Sequence, residues 1–447
     1  MAKPKVGLVT LASPVEDGAD KADERQKVAI ESLKKKDLDV ATTNVIVSQL
    51  EAIDAVSTLD KESIDLMVIL HGTWVSDLLQ LTIVNGTIKP IILWAIPYAS
   101  TYSLASVQHL ASLMKQLEIP YKYVYGDLDS DEVATTIAKY AKVSQVASQI
   151  RSLKIGVIGP SRTTWRVTGP TDTTFDEIDL AFLLGPEIIR LDIQEFLSTI
   201  DSISDDEGKK VVDSMRQSGK LGKVEVKEKA LIQAAKSYSA IKKIKEKYKL
   251  DIVSVKCYPD YPGLVCLASS WLAEEDEICG CEGDVGHSIM QFVLSKFADA
   301  PSVLIEPVMI DEETDSLLLR HCGNAPPSLS YDIEKLYLTP VTEESGVVIE
   351  TVLKPGLATW ATLWGSNGEY KMFISTVESI GMDESKWKKL GGGCLASLKH
   401  KKMNAEDFCY LLVQRIGVDH HAHIVLKDIR EELLILCELM GIESISL

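Results

Sequence analysis

Five consecutive apolar residues, Leu66-Met67-Val68-Ile69-Leu70, constrain the fold of this chain more than any other feature. A strand with one wet face alternates apolar and polar residues. A continuous run suits a strand buried on both faces, in a parallel sheet covered by helices. Pro90-Ile91-Ile92-Leu93-Trp94-Ala95 is a second such run, and Val6-Gly7-Leu8-Val9-Thr10 precedes both. Helical spacing fills 21–36, 103–117 and 129–153, which gives a βαβ rhythm. The rhythm restarts at Lys154-Ile155-Gly156-Val157-Ile158-Gly159. It continues through helices near 205–218 and 226–248, a strand at Ile252-Val253-Ser254-Val255, and a helix near 286–297. After Pro301 short strand-like pieces dominate, at 302–306, 347–353, 358–363, 370–375 and 424–426, with a last helix at 429–440. The expected class is α/β, with α/β domains over 1–152 and 153–300 and a mostly β, barrel-like domain over 301–447.

The 447 residues carry a net charge of −18, from 47 basic and 65 acidic side chains. Such a surface repels phosphate backbones and anionic lipid, so neither nucleic acid nor membrane is an expected partner. No apolar run reaches the roughly 18 residues of a membrane helix. Met1-Ala2-Lys3-Pro4-Lys5 runs straight into the first strand, so no signal peptide is expected. The eight scattered cysteines suit a reducing compartment, and the expected location is the cytoplasm.

Four segments could carry chemistry. Cys279-Gly280-Cys281-Glu282-Gly283-Asp284-Val285-Gly286-His287 sets two carboxylates two residues apart in a small-residue turn ahead of a helix. The glycines let a ligand approach the backbone, and acidic capping of the helix start is the competing reading. In Leu304-Ile305-Glu306-Pro307 a glutamate follows an apolar strand; a charge there needs a partner, and a metal is one. The alternative is an exposed strand-end glutamate. Arg320-His321-Cys322-Gly323-Asn324-Ala325-Pro326 sets a histidine beside a cysteine, which suits a structural histidine equally. Asp419-His420-His421-Ala422-His423 packs three of the eight histidines into four positions, and in a strand His421 and His423 share a face.

Two carboxylates and up to two imidazoles suit Mn²⁺, or another divalent ion such as Co²⁺ or Mg²⁺. A zinc knuckle is not expected, because Cys257, Cys266, Cys279 and Cys281 form no CxxC pairs. There is no P-loop, no dinucleotide-binding G-x-G-x-x-G after a strand and no G-x-S-x-G elbow. Those gaps argue against kinase, dehydrogenase and serine-hydrolase readings.

Cys257-Tyr258-Pro259, then Gly263-Leu264-Val265-Cys266, then Cys281-Glu282-Gly283-Asp284-Val285, resemble the C-W-P … C-E-G-D-V signature of the L-fucose/L-arabinose isomerase family. His321-Cys322-Gly323-Asn324-Ala325-Pro326 resembles its H-C-G-N-x-P segment. His421, seven residues before Asp428, falls in a segment similar to its late histidine strand. Gly72-Thr73-Trp74 and Leu93-Trp94-Ala95-Ile96-Pro97 are similar to segments of its first domain. The chain departs from the family in its shorter length and in Tyr258, where Trp is common.

The resemblance implies two Rossmann-like α/β domains followed by a β-barrel domain. It implies Glu282, Glu306 and His421 as metal ligands, with His321 as a fourth from the L-arabinose branch. Glu282 and Glu306 stand 24 residues apart, which suits the L-fucose branch, although Asp is usual at the second position there. The implied reaction interconverts an aldose (L-fucose, D-arabinose or L-arabinose) and its ketose through a metal-stabilised enediol, with both glutamates as acid and base. His71, Trp74, Arg162, Trp165, Arg166 and His321 are the implied sugar contacts, in a homo-oligomer, trimeric or hexameric, whose subunits share sites. Three alternatives stand beside this: an isomerase of a charged sugar such as sulfoquinovose, for which Arg162 and Arg166 matter more, a different metal-dependent enediolate enzyme such as an epimerase, and a non-catalytic sugar-binding protein.

Overall fold

A computed structural model describes residues 2–159, 176–341, 346–366, 368–390 and 393–447. The chain divides into two compact units, Met1–Gln149 and Ile150–Leu447.

The first unit holds β1 (Lys5–Leu11), β2 (Asp39–Thr42), β3 (Leu66–His71), β4 (Ile91–Ala95) and β5 (Lys122–Tyr125). They form one parallel sheet in the order β2-β1-β3-β4-β5. Every residue of β3 and β4 is buried, as their continuous apolar runs demand. Leu59, Leu79, Leu110 and Met114 bring helical faces into the same core as Val9, Ile69 and Leu93. Strand order reverses between β1 and β3, the kind of switch point where α/β sheets place ligand groups. His71-Gly72-Thr73-Trp74 lies there: Gly72 N donates to Leu11 O at 2.8 Å, and Ser13 N donates to Thr73 Oγ1 at 2.8 Å.

The second unit begins with β6 (Lys154–Ile158), β7 (Glu187–Leu191), β8 (Lys223–Val224), β9 (Ile252–Val255) and β10 (Ile278–Gly280). Four of these form a parallel sheet, β10-β9-β6-β7. There follow β11 (Val303–Asp311), β12 (Ser316–His321), β13 (Tyr337–Pro340), β14 (Val347–Val352), β15 (Gly356–Ser366), β16 (Glu369–Ile380), β17 (Cys394–His400), β18 (Ala422–Val425) and β19 (Glu443–Ser446). Six of them close a ring: β11 pairs with β12 and β18, β12 with β17, β17 with β16, β16 with β15, and β15 with β18. Ile305, Leu319, Trp360, Phe373, Ala396 and Ile424 fill a shared apolar core, on which Phe408 also packs. The class is thus the α/β one expected, with parallel α/β layers followed by a closed β-barrel.

Candidate active site

Strand register builds the site. Ile305 of β11 pairs with Ala422 of β18, and Val303 with Ile424. These four residues belong to the barrel's apolar core. Side chains alternate along strands, so Glu306 and His423 take the outer face, as does His421 immediately before β18. The same register sets Glu306 and His421 opposite one another at the end of the ladder. On the other edge of β11, Glu306 pairs with Arg320, and the next residue of β12 is His321.

The remaining carboxylate comes from the turn between β10 and the helix Val285–Ala298. Glu282 and Gly283 are both left-handed there, with φ of +61° and +71°. A non-glycine residue held in that region costs about 1–3 kcal/mol and is typical of functional sites. A Cβ on Gly283 would come within 3.3 Å of Lys256 Cβ and 3.4 Å of its Cδ, so a larger residue would crowd that side chain. The turn points Glu282 at the barrel's histidines: Oε2 is 3.6 Å from His421 Nε2, and Oε1 is 3.8 Å from His321 Nε2.

Donor atoms of Glu282, His321 and His421 all lie within 4.8 Å of one another, and so do those of Glu306, His420 and His421. His421 is common to both sets. Its Nδ1 lies 2.8 Å from Asp284 Oδ2, which leaves Nε2 for an ion. A carboxylate behind a ligating imidazole is the usual support of a metal site. Asp284 Oδ1 accepts from His287 N at 2.9 Å, so the residue also caps the helix. For an ion bonded at about 2.0–2.2 Å, oxygen and nitrogen ligands lie roughly 3 Å apart, so modest closure of these groups would hold one. The mixed oxygen and nitrogen set is one that could hold a metal ion.

Five of the eight histidines gather here. Ring centroids are 4.3 Å apart for His420 and His421, 5.4 Å for His287 and His421, 5.5 Å for His287 and His423, and 6.1 Å for His321 and His421. Burial, reinforced by neighbouring imidazoles, holds His423 well below the usual histidine range. Burial also lowers His287, against the opposing pull of Asp284. Burial resists charge on His321 too, but Cys322, Glu282 and Glu306 outweigh it and push its pKa up to about 9. Asp419, bonded to His420 Nδ1 at 2.7 Å, raises that histidine.

Of the residues singled out in the sequence, Glu282, Glu306, His321 and His421 are brought together here. His71 and Trp74 belong to the first unit; His71 is fully buried and Trp74 is 38% exposed. Arg162, Trp165 and Arg166 lie outside the described residues. Sequence reasoning gave no role to His287, His420 or Lys256. The clustered histidines and the C-terminal end of β9 were signals for all but the first. Lys256 directly follows β9 and is only 4% exposed.

No family model matches the chain. It is 23% identical over 444 residues to a sulfoquinovose isomerase of Priestia aryabhattai, covering 94% of each chain. A sulfoquinovose isomerase of Clostridium sp. (strain MSTE9) is 20% identical over 354 residues, 76% of this chain and 75% of the relative. One from Alkalicoccus urumqiensis is 22% identical over 262 residues, 54% of this chain and 55% of the relative.

Proposed function

We propose that this chain is a divalent-metal-dependent aldose–ketose isomerase whose substrate is sulfoquinovose. The observation that carries the reading is the approach of Glu282 and of Glu306 to His421, in two donor sets that share it, with the His421 Nδ1 held by Asp284. The near-full-length likeness to a sulfoquinovose isomerase supports the choice of a charged sugar over the L-fucose and arabinose sugars.

An ion held by Glu282, Glu306 and His421 would supply Lewis-acid polarisation of the sugar carbonyl. One glutamate takes the proton from C2, and the C–H electron pair becomes the double bond of an enediol. The proton returns at C1 while the O2 hydroxyl proton passes to O1, completing the ketose. Asp284 holds His421 by Nδ1, so the ring turns Nε2 toward Glu282. Lys256, buried with its stem against Gly283, supplies a cation beside the Glu282 turn for the sugar's sulfonate.

The protein is also proposed to be a homo-oligomer, a trimer or hexamer with shared sites. Trp74, Tyr98 and Tyr102 support this, since all three stay exposed after β3 and β4 at the carboxyl edge of the first sheet. Light scattering of a fully active monomer would refute it.

The deciding experiment removes metal with EDTA, restores Mn²⁺, Co²⁺ or Mg²⁺, and follows ketose formation by NMR. Sulfoquinovose, L-fucose, D-arabinose and L-arabinose are compared. Conversion of sulfoquinovose only after metal is restored supports the proposal. Activity in the chelated protein refutes the metal role, and preference for a neutral aldose refutes the substrate. No conversion of any sugar with any ion favours the non-catalytic sugar-binding reading.

A further inference from the structure

Four of the eight cysteines meet directly behind the carboxylate–imidazole site. Cys257 follows β9, Cys266 starts the helix Cys266–Ala273, Cys281 precedes Glu282, and Cys322 follows His321. Cys257 Sγ is 3.3 Å from Cys281 Sγ, and Cys266 Sγ is 3.5 Å from Cys322 Sγ. Cys322 Sγ lies 3.3 Å from His321 Nδ1, and the donor atoms of Cys281, His321 and Cys322 are all within 4.8 Å of one another. The His321 ring therefore faces two ways, with Nε2 toward Glu282 and Nδ1 toward sulfur.

We propose that Cys266, Cys281, Cys322 and His321 Nδ1 form a second, sulfur-rich site for a zinc-class ion, joined to the carboxylate–imidazole site through the His321 ring. Three thiolates and one imidazole in a tetrahedron are a common structural zinc set. Bonds of about 2.3 Å to sulfur place tetrahedral sulfurs about 3.8 Å apart, so Cys266 and Cys322, at 3.5 Å, need to spread by only a few tenths of an ångström, while Cys266 must draw in toward the set that Cys281, His321 and Cys322 already form. Soft sulfur ligands select against Mn²⁺, so the two neighbouring sites would sort their ions by ligand type. Cys322 is exposed and gives the ion a way in, while Cys266 and Cys281 are buried. Buried cysteines often pack as small apolar groups, but such packing does not aim an imidazole nitrogen at a thiol. Binding releases the thiol protons to solvent. With Nδ1 metallated, the neutral ring carries its proton on Nε2, and His321 faces Glu282 as a donor.

The test uses the full chain, reduced, chelated and then saturated with Mn²⁺ so that the oxygen–nitrogen site is filled. Cd²⁺ is titrated in, and thiolate-to-cadmium charge transfer is read in the ultraviolet. One equivalent with three thiolates is expected. Cys266→Ser and Cys322→Ser should each weaken binding by more than about tenfold, since even outer partners of a metal site are worth that much. No charge-transfer band, or one unchanged in both variants, overturns the proposal. Should the variants fail to fold, the wild type decides: Zn²⁺ should slow alkylation of Cys322, measured by mass spectrometry on the digested protein. An alkylation rate indifferent to Zn²⁺ overturns the site.

Discussion

Asp284 Oδ2 lies 2.8 Å from His421 Nδ1, although 137 residues of chain separate the two. The other oxygen of the same carboxylate caps a helix by accepting from His287 N. One residue thus fixes both the helix that follows Glu282 and the imidazole facing it. Asp284→Asn should separate these tasks. Asparagine caps helices about as well as aspartate, so the melting temperature should change little. Its amide would donate to His421 Nδ1 and drive the ring proton to Nε2, the nitrogen proposed to hold the ion. Mn²⁺ affinity, measured by electron paramagnetic resonance, should fall about 10–100-fold. A large drop in melting temperature with unchanged affinity would reduce Asp284 to a cap.

Glu282→Gln and Glu306→Gln should each lower turnover by at least about 10²–10⁴-fold, the usual worth of acid–base catalysis. Circular dichroism should stay native. Glutamine keeps the side chain's shape but can neither take the C2 proton nor offer a charge to the ion. If the reaction runs through an enediol, deuterium placed at C2 should wash partly into solvent during wild-type turnover. Native rates in both variants would remove these residues from the mechanism.

Lys256→Met should raise KM for sulfoquinovose by about tenfold or more, the scale of one charge-assisted hydrogen bond of about 1.5–3 kcal/mol. Any conversion of a neutral aldose should be much less affected. Equal losses on charged and neutral sugars would mean that Lys256 supports the turn rather than reads the sulfonate.

His71 predicts an acid limit. Its full burial lowers its pKa to about 3, from an ordinary value of 6.5. The folded chain therefore keeps His71 neutral, while the unfolded chain protonates it below about pH 6.5. The contribution is fully present above that pH and is lost as pH falls toward 3. At about 1.4 kcal/mol per unit, the whole window is worth on the order of 5 kcal/mol. Urea midpoints between pH 7 and 4 should fall less steeply in His71→Leu than in the wild type. Parallel slopes would mean that other groups set the acid limit.

The sequence shows best what burial makes continuous. β3 and β4 read as strands because both faces are covered, and the terminal helix 430–440 reads from its spacing. β10 and β2 are three and four residues long, too short for any periodicity to register. β12 carries Leu317-Leu318-Leu319, but Ser316, Arg320 and His321 bracket so short a run that its strand character depends on its partners β11 and β17. For the site, motif spacing reaches Glu282, Glu306, His321 and His421. Spacing fails for the thiols, because Cys266, Cys281 and Cys322 lie too far apart along the chain to read as a metal motif and meet only through tertiary packing. Lys256 has no motif at all; its burial and its contact with the Gly283 turn exist only in the folded unit.

Glu282 hangs from the end of the parallel sheet, whereas Glu306 and His421 belong to the barrel. An ion gripping all three would rivet two separately hydrogen-bonded layers. The barrel could hold an ion weakly through Glu306, His420 and His421, but the grip of Glu282 would vanish as soon as either layer opened. A clamp of this kind adds little to a partly unfolded chain and most to the intact one. At an ion concentration about 100 times its Kd, it would stabilise the second unit by about 2.7 kcal/mol. The proposed ion would then also make the two layers melt as one body.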